Sequence, residues 1–282
     1  MDCPRWLIDK QVDVLVDADV ELIVQTATKA AEDAGRELLR LFNGRLSIHR
    51  KFDYQGSIVT NADERAERVI LRNIRRSRIG GLVISEEAGK VAIGSEEIVW
   101  AVDPLDGTFN YAKRIPHFAV SIGAIVGGTP LVGVIYNPVL HELFVARRGC
   151  GARLNGRRIH VSRVRSLNNA SLIFEWWNRE PRIQNPLGLA RRLYKHTRSL
   201  RSSGSVALNF CSVASGRFDG LITVFKKSPI YELCAGCLIV QEAGGLVTNS
   251  VGEEWESLTN SVLAGGKSIH AKLYSMVNST KG

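Results

Sequence analysis

Apolar positions change period several times along the chain, and each change predicts an element. Over residues 21–42, Ile23, Ala27, Ala30, Ala31, Ala34, Leu38 and Leu41 fall near one stripe, the spacing of an amphipathic helix. Residues 46–52 read as a strand, 63–75 as a second helix, and 81–85 and 98–102 as short buried strands. Three more strands are predicted at 118–125, 131–136 and 142–146, punctuated by Gly-Gly, Pro and Asn-Pro signals. Asn155-Gly156 is a strong hairpin turn. From about Ser166 strands and helices mix: helices at 186–196 and 206–214, then a strand at 221–225. Ser228-Pro229 reads as an N-cap with proline at the first helical position, opening a helix over 230–243 that Gly244-Gly245 ends. Such an order suggests stacked α and β layers, an α/β (α+β) chain. We divide it into an N-terminal half, residues 1–165, and a C-terminal half, residues 166–282, packed as one compact unit. There is no Pro/Ser-rich linker, low-complexity segment or internal repeat.

Composition narrows the class. Length 282, with 45% apolar and 23% charged residues, suits a globular chain with a substantial core. No apolar run is long enough to span a bilayer, and Asp2, Arg5, Asp9 and Lys10 interrupt any signal-peptide core, so a cytoplasmic protein without a membrane partner is expected. The five cysteines are scattered; Cys234 and Cys237 are spaced C-x-x-C but lie in an apolar helical pattern, which predicts small buried helix residues. The six histidines have no metal-ligand spacing. Formal net charge is +9, with cations dense at 72–78, 147–165 and 179–201. Those runs are either a solvated basic surface or a field that draws anions. No aromatics interleave with them in a nucleic-acid pattern, which favours small anions over nucleic acid.

The densest chemistry lies in Trp100-Ala-Val-Asp103-Pro104-Leu105-Asp106-Gly107-Thr108-Phe109-Asn110. Two carboxylates flank a proline and one other residue at the end of an apolar strand. Proline cannot extend a ladder, Leu105 offers its carbonyl, and Asp106 returns toward the same point. Hard divalent cations take oxygen donors of this kind, and the N–H groups of Gly107 and Thr108 could meet an anion. Standing alone, Asp-Pro-Leu-Asp-Gly is also an ordinary turn.

Other blocks shift that balance. Ile58-Val-Thr60-Asn-Ala-Asp63 with Glu67, and Ser85-Glu86-Glu87-Ala-Gly89, lie upstream. Gly204-Ser205-Val-Ala207, Val213-Ala-Ser-Gly-Arg-Phe-Asp-Gly220 and Tyr231-Glu232-Leu-Cys-Ala-Gly236, leading to Glu242-Ala-Gly-Gly245, lie downstream. In this order the blocks resemble the inositol monophosphatase family of metal-dependent phosphatases, from about Asp19 to the C-terminus.

The resemblance implies a layered αβαβα sandwich and two or three Mg²⁺ ions. Glu86, Asp103 and the Leu105 carbonyl would hold one ion; Asp103, Asp106 and Glu232 would hold a second; Glu86 would reach a third through water. It pairs Thr108 with Asp63, near Thr60, to orient the attacking water, and gives Glu86 a catalytic part. Substrate contacts are expected from Asp106, Gly107, Thr108, Arg201, Gly204 and Ser205. The substrate would be a small phosphorylated sugar or polyol, the assembly a homodimer, and the enzyme lithium-sensitive. One departure stands out: the family's Trp-Asp pair is here Tyr231-Glu232, a ligand position with a side chain one methylene longer, where Glu232 serves either as ligand or as a first-turn helix acid. Phe225 stands where animal relatives carry an inositol-contacting glutamate, followed by Lys226-Lys227, which suit a second phosphate or a surface loop. Inositol 1-phosphate is the first expected substrate and fructose 1,6-bisphosphate the second, since archaeal members act on both. Histidinol phosphate and 3′-phosphoadenosine 5′-phosphate stay open, as does a non-catalytic regulatory protein on this scaffold.

Overall fold

The computed structural model describes residues 17–50, 58–95, 97–176, 185–225, 230–254 and 261–279. In chain order come α1 (Asp17–Phe42), β1 (Ile48–Arg50), β2 (Ile58–Thr60), α2 (Asn61–Arg76), β3 (Gly81–Ser85), β4 (Gly89–Ile93) and β5 (Ile98–Asp106). Then follow α3 (Thr108–Ala112), β6 (Ala119–Val126), β7 (Thr129–Asn137), β8 (Glu142–Arg147), β9 (Gly151–Leu154), β10 (Arg157–Arg158) and β11 (Ser171–Trp176). The remainder is α4 (Pro186–His196), β12 (Ser199–Arg201), α5 (Val206–Ala214), β13 (Gly220–Val224), α6 (Ile230–Glu242), β14 (Leu246–Thr248), β15 (Ser261–Gly265) and α7 (Lys267–Asn278).

Among the described residues, β10-β9-β8-β7-β6-β5-β3-β4 form one sheet and β12-β11-β13-β15-β14 another. β3 and β5 run parallel in the first; its other neighbours are antiparallel. One core joins α1 and α2 to one face of the large sheet, through Ile23, Ala27, Ala30, Ala34 and Leu38 against Trp100, Val102, Val120 and Ile122. A second core fills the space between the two sheets with α5 and α6. The third packs α4 and α7 on the outer face of the smaller sheet. The stacking is therefore αβαβα. Period-two alternation decides which side chain enters which core: Leu172 and Phe174 join the outer one, Ile173 the inner one. Fully burying an aliphatic or aromatic side chain of this kind is worth about 1.5–3 kcal/mol. Trp100, wholly buried, also satisfies its indole by donating Nε1–H to the Gly80 carbonyl at 2.6 Å.

Several expectations shift. The strand expected over 98–102 continues to Asp106, with a break in register between Asp103 and Asp106 where Pro104 has no N–H for the ladder. The strand expected over 46–52 is Ile48–Arg50, beyond which residues 51–57 lie outside the described residues. So do Lys226, Lys227 and the expected Ser228-Pro229 helix start. β2, β4, α3, β11, β12, β14, β15 and α7 were not read from the pattern; α3 and α7 open on glycine without a side-chain cap. Cys234 and Cys237 are buried in α6 as free thiols, as expected. No helix among the described residues is long and apolar enough to cross a membrane.

Candidate active site

The carboxyl ends of β3 and β5 lie side by side because the two strands are parallel, with Ser85 opposite Val102. The Glu86 N–H donates to the Val102 carbonyl at 3.2 Å, which sets Glu86 beside Asp103. Glu67, one turn after Asp63 on α2, secures this corner: its carboxylate accepts from the Ser85 hydroxyl and from the Ala88 N–H. Asp103 is only 2% exposed. Its Oδ1 accepts the Leu105 N–H at 3.0 Å, closing the turn that Pro104 starts. Burial first, then the negative charges of Glu86, Asp106 and Glu232, push the Asp103 carboxyl far above the usual range. Glu86 just past β3, Asp103 and Asp106 on β5, and Glu232 in the first turn of α6 thus lie near enough for the other three to bear on the charge of Asp103. The Tyr231 hydroxyl faces the same field: burial, then Glu86, Glu232, Asp103 and Glu87, drive its ionisation upward.

Asp106 is turned the other way, into the start of α5. Its carboxylate accepts from the Ser205 hydroxyl, from Val206 N–H at 3.0 Å and from Ala207 N–H at 3.1 Å. These donors occupy the positive end of the helix and favour the anion, yet burial prevails and lifts the Asp106 carboxyl to about 7.

Asp63 joins the group from α2. It is the third residue of a capping box: the Thr60 N–H and hydroxyl donate to Oδ2 at 2.8 and 2.6 Å, and Thr60 Oγ1 accepts from Ala62 N–H at 3.1 Å. The Thr108 hydroxyl lies 3.0 Å from Asp63 Oδ1 and 2.9 Å from the Leu105 carbonyl. Burial, opposed by those hydrogen bonds, raises the Asp63 carboxyl to about 6. A helix-start acid and a partner for Thr108 are therefore one and the same residue. Gly107 joins the strand to α3 at φ 88°, and a Cβ there would lie 3.1 Å from the His117 carbonyl. This corner requires glycine.

The donors of Gly204 and Ser205, expected to contact the sugar of a substrate, have partners within the chain in this structure. Ser205 donates to Asp106 and accepts from Leu208 N–H at 3.4 Å as the α5 N-cap, while the Gly204 N–H goes to Glu175 at 2.9 Å. Those donors are engaged inside the protein rather than presented to a sugar. Arg201 is exposed on the edge strand β12, its guanidinium donating to the Leu200 carbonyl at 3.1 Å. Sequence reasoning missed Glu175 and gave Asn110 no role. Asn110 Nδ2 bridges the carbonyls of His117 and Ser203, both at 2.9 Å. Glu175 had a signal: alternation along β11 puts it on the inward face with Ile173.

The donors of this site are hard oxygens: Glu86, Asp103, Asp106 and Glu232 carboxylates and the Leu105 carbonyl. Among the described residues no three His, Cys, Asp or Glu side chains are already closed into metal-ligating geometry. The chemistry of the set nonetheless suits a hard divalent cation, because Asp103 is a buried carboxyl facing three like charges.

A family model described as the inositol monophosphatase family matches residues 19–281. The chain belongs to that family. It is similar to the Nus factor SuhB of Escherichia coli (strain K12), 34% identical over 88% of this chain and 92% of that protein. It is 35% identical to the inositol-1-monophosphatase of Synechocystis sp. (strain PCC 6803) over 93% of this chain and 91% of that one. The crystal structure of the extragenic suppressor protein suhB from Bartonella henselae superposes with a TM-score of 0.84 at 33% identity, covering 94% of this chain and all (100%) of that one.

Proposed function

We propose that this chain is a Mg²⁺-dependent phosphomonoesterase for small phosphorylated polyols or sugars. Inositol 1-phosphate is the first substrate to test and fructose 1,6-bisphosphate the second. The observation that carries the reading is the Thr108–Asp63 hydrogen bond, 3.0 Å long, standing beside the other carboxylates of the site. Each partner also has another contact, Asp63 with Thr60 and Thr108 with the Leu105 carbonyl.

Glu86, Asp103, the Leu105 carbonyl, Asp106 and Glu232 would hold Mg²⁺, which when bound supplies a more acidic water and offsets charge on the leaving oxygen. The protein's own groups position and move the proton. Thr108 donates its hydroxyl hydrogen to Asp63 and keeps lone pairs with which to accept one from water. As the water oxygen bonds to phosphorus, its proton passes to Thr108 and the threonine proton to Asp63, whose raised affinity suits it to hold one. The ester P–O bond breaks and the departing oxygen takes a proton from solvent. Burial of Asp103, Asp106 and Asp63 excludes competing water from their oxygens.

Phosphate release from a panel of esters, with Mg²⁺ and with chelator, tests this. Hydrolysis that requires Mg²⁺ is expected. No release from any ester would favour the second reading, a regulatory role on this scaffold, which the Nus factor name of the 34%-identical relative motivates.

A further inference from the structure

Glu175 has no part in the chemistry above, yet its carboxylate accepts four hydrogen bonds. It is 4% exposed and accepts from the Ser202 hydroxyl at 2.6 Å, the Ser203 N–H, the Gly204 N–H at 2.9 Å and Asn209 Nδ2 at 3.2 Å. Three of those donors meet Oε1 and the Ser202 hydroxyl meets Oε2. An ionised carboxylate, with acceptors only, matches such a ring of donors. Parallel pairing of β11 with β12 sets Ile173 opposite Arg201, so the chain leaving β12 passes beside Glu175.

The segment it grips is the one that meets the Asp106 corner. The Ser203 carbonyl accepts from Asn110, and the Gly204 carbonyl lies where a Cβ on Gly107 would meet it at 3.3 Å. Ser205, the next residue, donates to Asp106, and the following two amides complete that grip. At the far end of α5's first turn, Asn209 ties back both to Glu175 and to the Ser203 hydroxyl, the latter at 2.7 Å.

We propose that Glu175 is a positioning residue: by clamping residues 202–204 it sets the first turn of α5 on Asp106 and so orients that carboxylate in the site. The kinetic consequence rests on the phosphatase reading; the structural coupling does not. Glu175 touches no reacting atom and acts only through the loop.

The test uses the full chain with Glu175→Ala and Glu175→Gln. Residue-resolved amide hydrogen exchange is read at Val206 and Ala207, with β6 amides as the reference for global opening. In the alanine variant, exchange at Val206 and Ala207 is expected to rise about tenfold or more while β6 stays slow, a local opening. At saturating Mg²⁺, kcat for inositol 1-phosphate is expected to fall about tenfold or more with KM within about threefold. Glutamine should restore both readouts most of the way, since its oxygen keeps the three Oε1 donors and its amide can donate to Ser202. Unchanged exchange at Val206 and Ala207, with the Ser203 and Gly204 amides opened, overturns the proposal. Should the alanine variant fail to fold, Glu175→Asp keeps the charge and withdraws it by one methylene. Wild-type exchange and kcat in that variant overturn the proposal equally. Coupled exchange in a chain that hydrolyses no ester leaves the positioning role standing and removes the phosphatase reading; hydrolysis without coupling does the reverse.

Discussion

Asp103 is a residue whose charge is costly to the fold and well suited to a cation. It is buried with Glu86, Asp106 and Glu232 facing it, so its negative charge is unfavourable until a cation offsets it. Asp103→Asn is therefore expected to lower kcat more than tenfold, at least about 1.4 kcal/mol of transition-state stabilisation. The same variant, in chelator, should melt at or above the wild-type temperature, because the amide escapes the repulsion. Retained activity would remove Asp103 from the site, and a lower melting temperature would contradict the repulsion. Glu232 poses a different question. If it is a ligand, Glu232→Asp should lower the Mg²⁺ concentration for half-maximal activity and Glu232→Gln should raise it, as a full charge is lost where water screens poorly. Superimposable Mg²⁺ titrations of the three proteins would leave it as a first-turn helix acid worth about 0.3–1 kcal/mol.

At the scale of elements, helix starts deliver the polar groups of the site. α2 begins with a capping box whose Asp63 reaches Thr108, and α5 begins with Ser205 on Asp106. Removing the Thr60 hydroxyl tests the first of these. Thr60→Ala should cost about 0.5–2 kcal/mol of stability, the usual worth of an N-cap. It should also reduce kcat, because Asp63 loses one of the bonds that aim its Oδ1 at Thr108. Chemical denaturation paired with steady-state kinetics measures both. A pure stability loss with full kcat would mean that the box only starts the helix.

For the whole molecule, the acidic centre makes stability depend on pH in an unusual direction. Asp63 and Asp106 rise from 3.8 to about 6 and about 7, and Asp103 rises too, burial being the leading cause in each. A carboxyl raised on folding contributes stability that is present below its unfolded value and is lost as pH climbs through the folded one. In chelator, the melting temperature should therefore increase as pH is lowered from about 8 to about 5.5. Mg²⁺ should stabilise most at the upper end of that window, where the carboxylates are ionised, by about 2.7 kcal/mol at a hundredfold excess over Kd. A melting temperature flat across the window in chelator would show that these groups are not desolvated as the fold implies.

What could be read from the chain without its structure was whatever local spacing encodes. The helical stripe of α1 and the alternation and punctuation of β6 to β8 were legible, because periodicity is a short-range property. So were the bounds of α4 and α5, which cap and proline chemistry mark. Asp103 and Asp106 stood out within their own short motif, whereas Asp63, Glu86 and Thr108 were singled out by the resemblance of their blocks to the family. Tertiary structure alone decided which donors are already engaged. The α5 amides belong to Asp106, the Gly204 N–H belongs to Glu175, and Asp63 serves a helix cap and Thr108 together. Those pairings join residues 29 to 101 positions apart, except within the cap. No local pattern carries such information, because burial and hydrogen-bond competition depend on which strands end side by side.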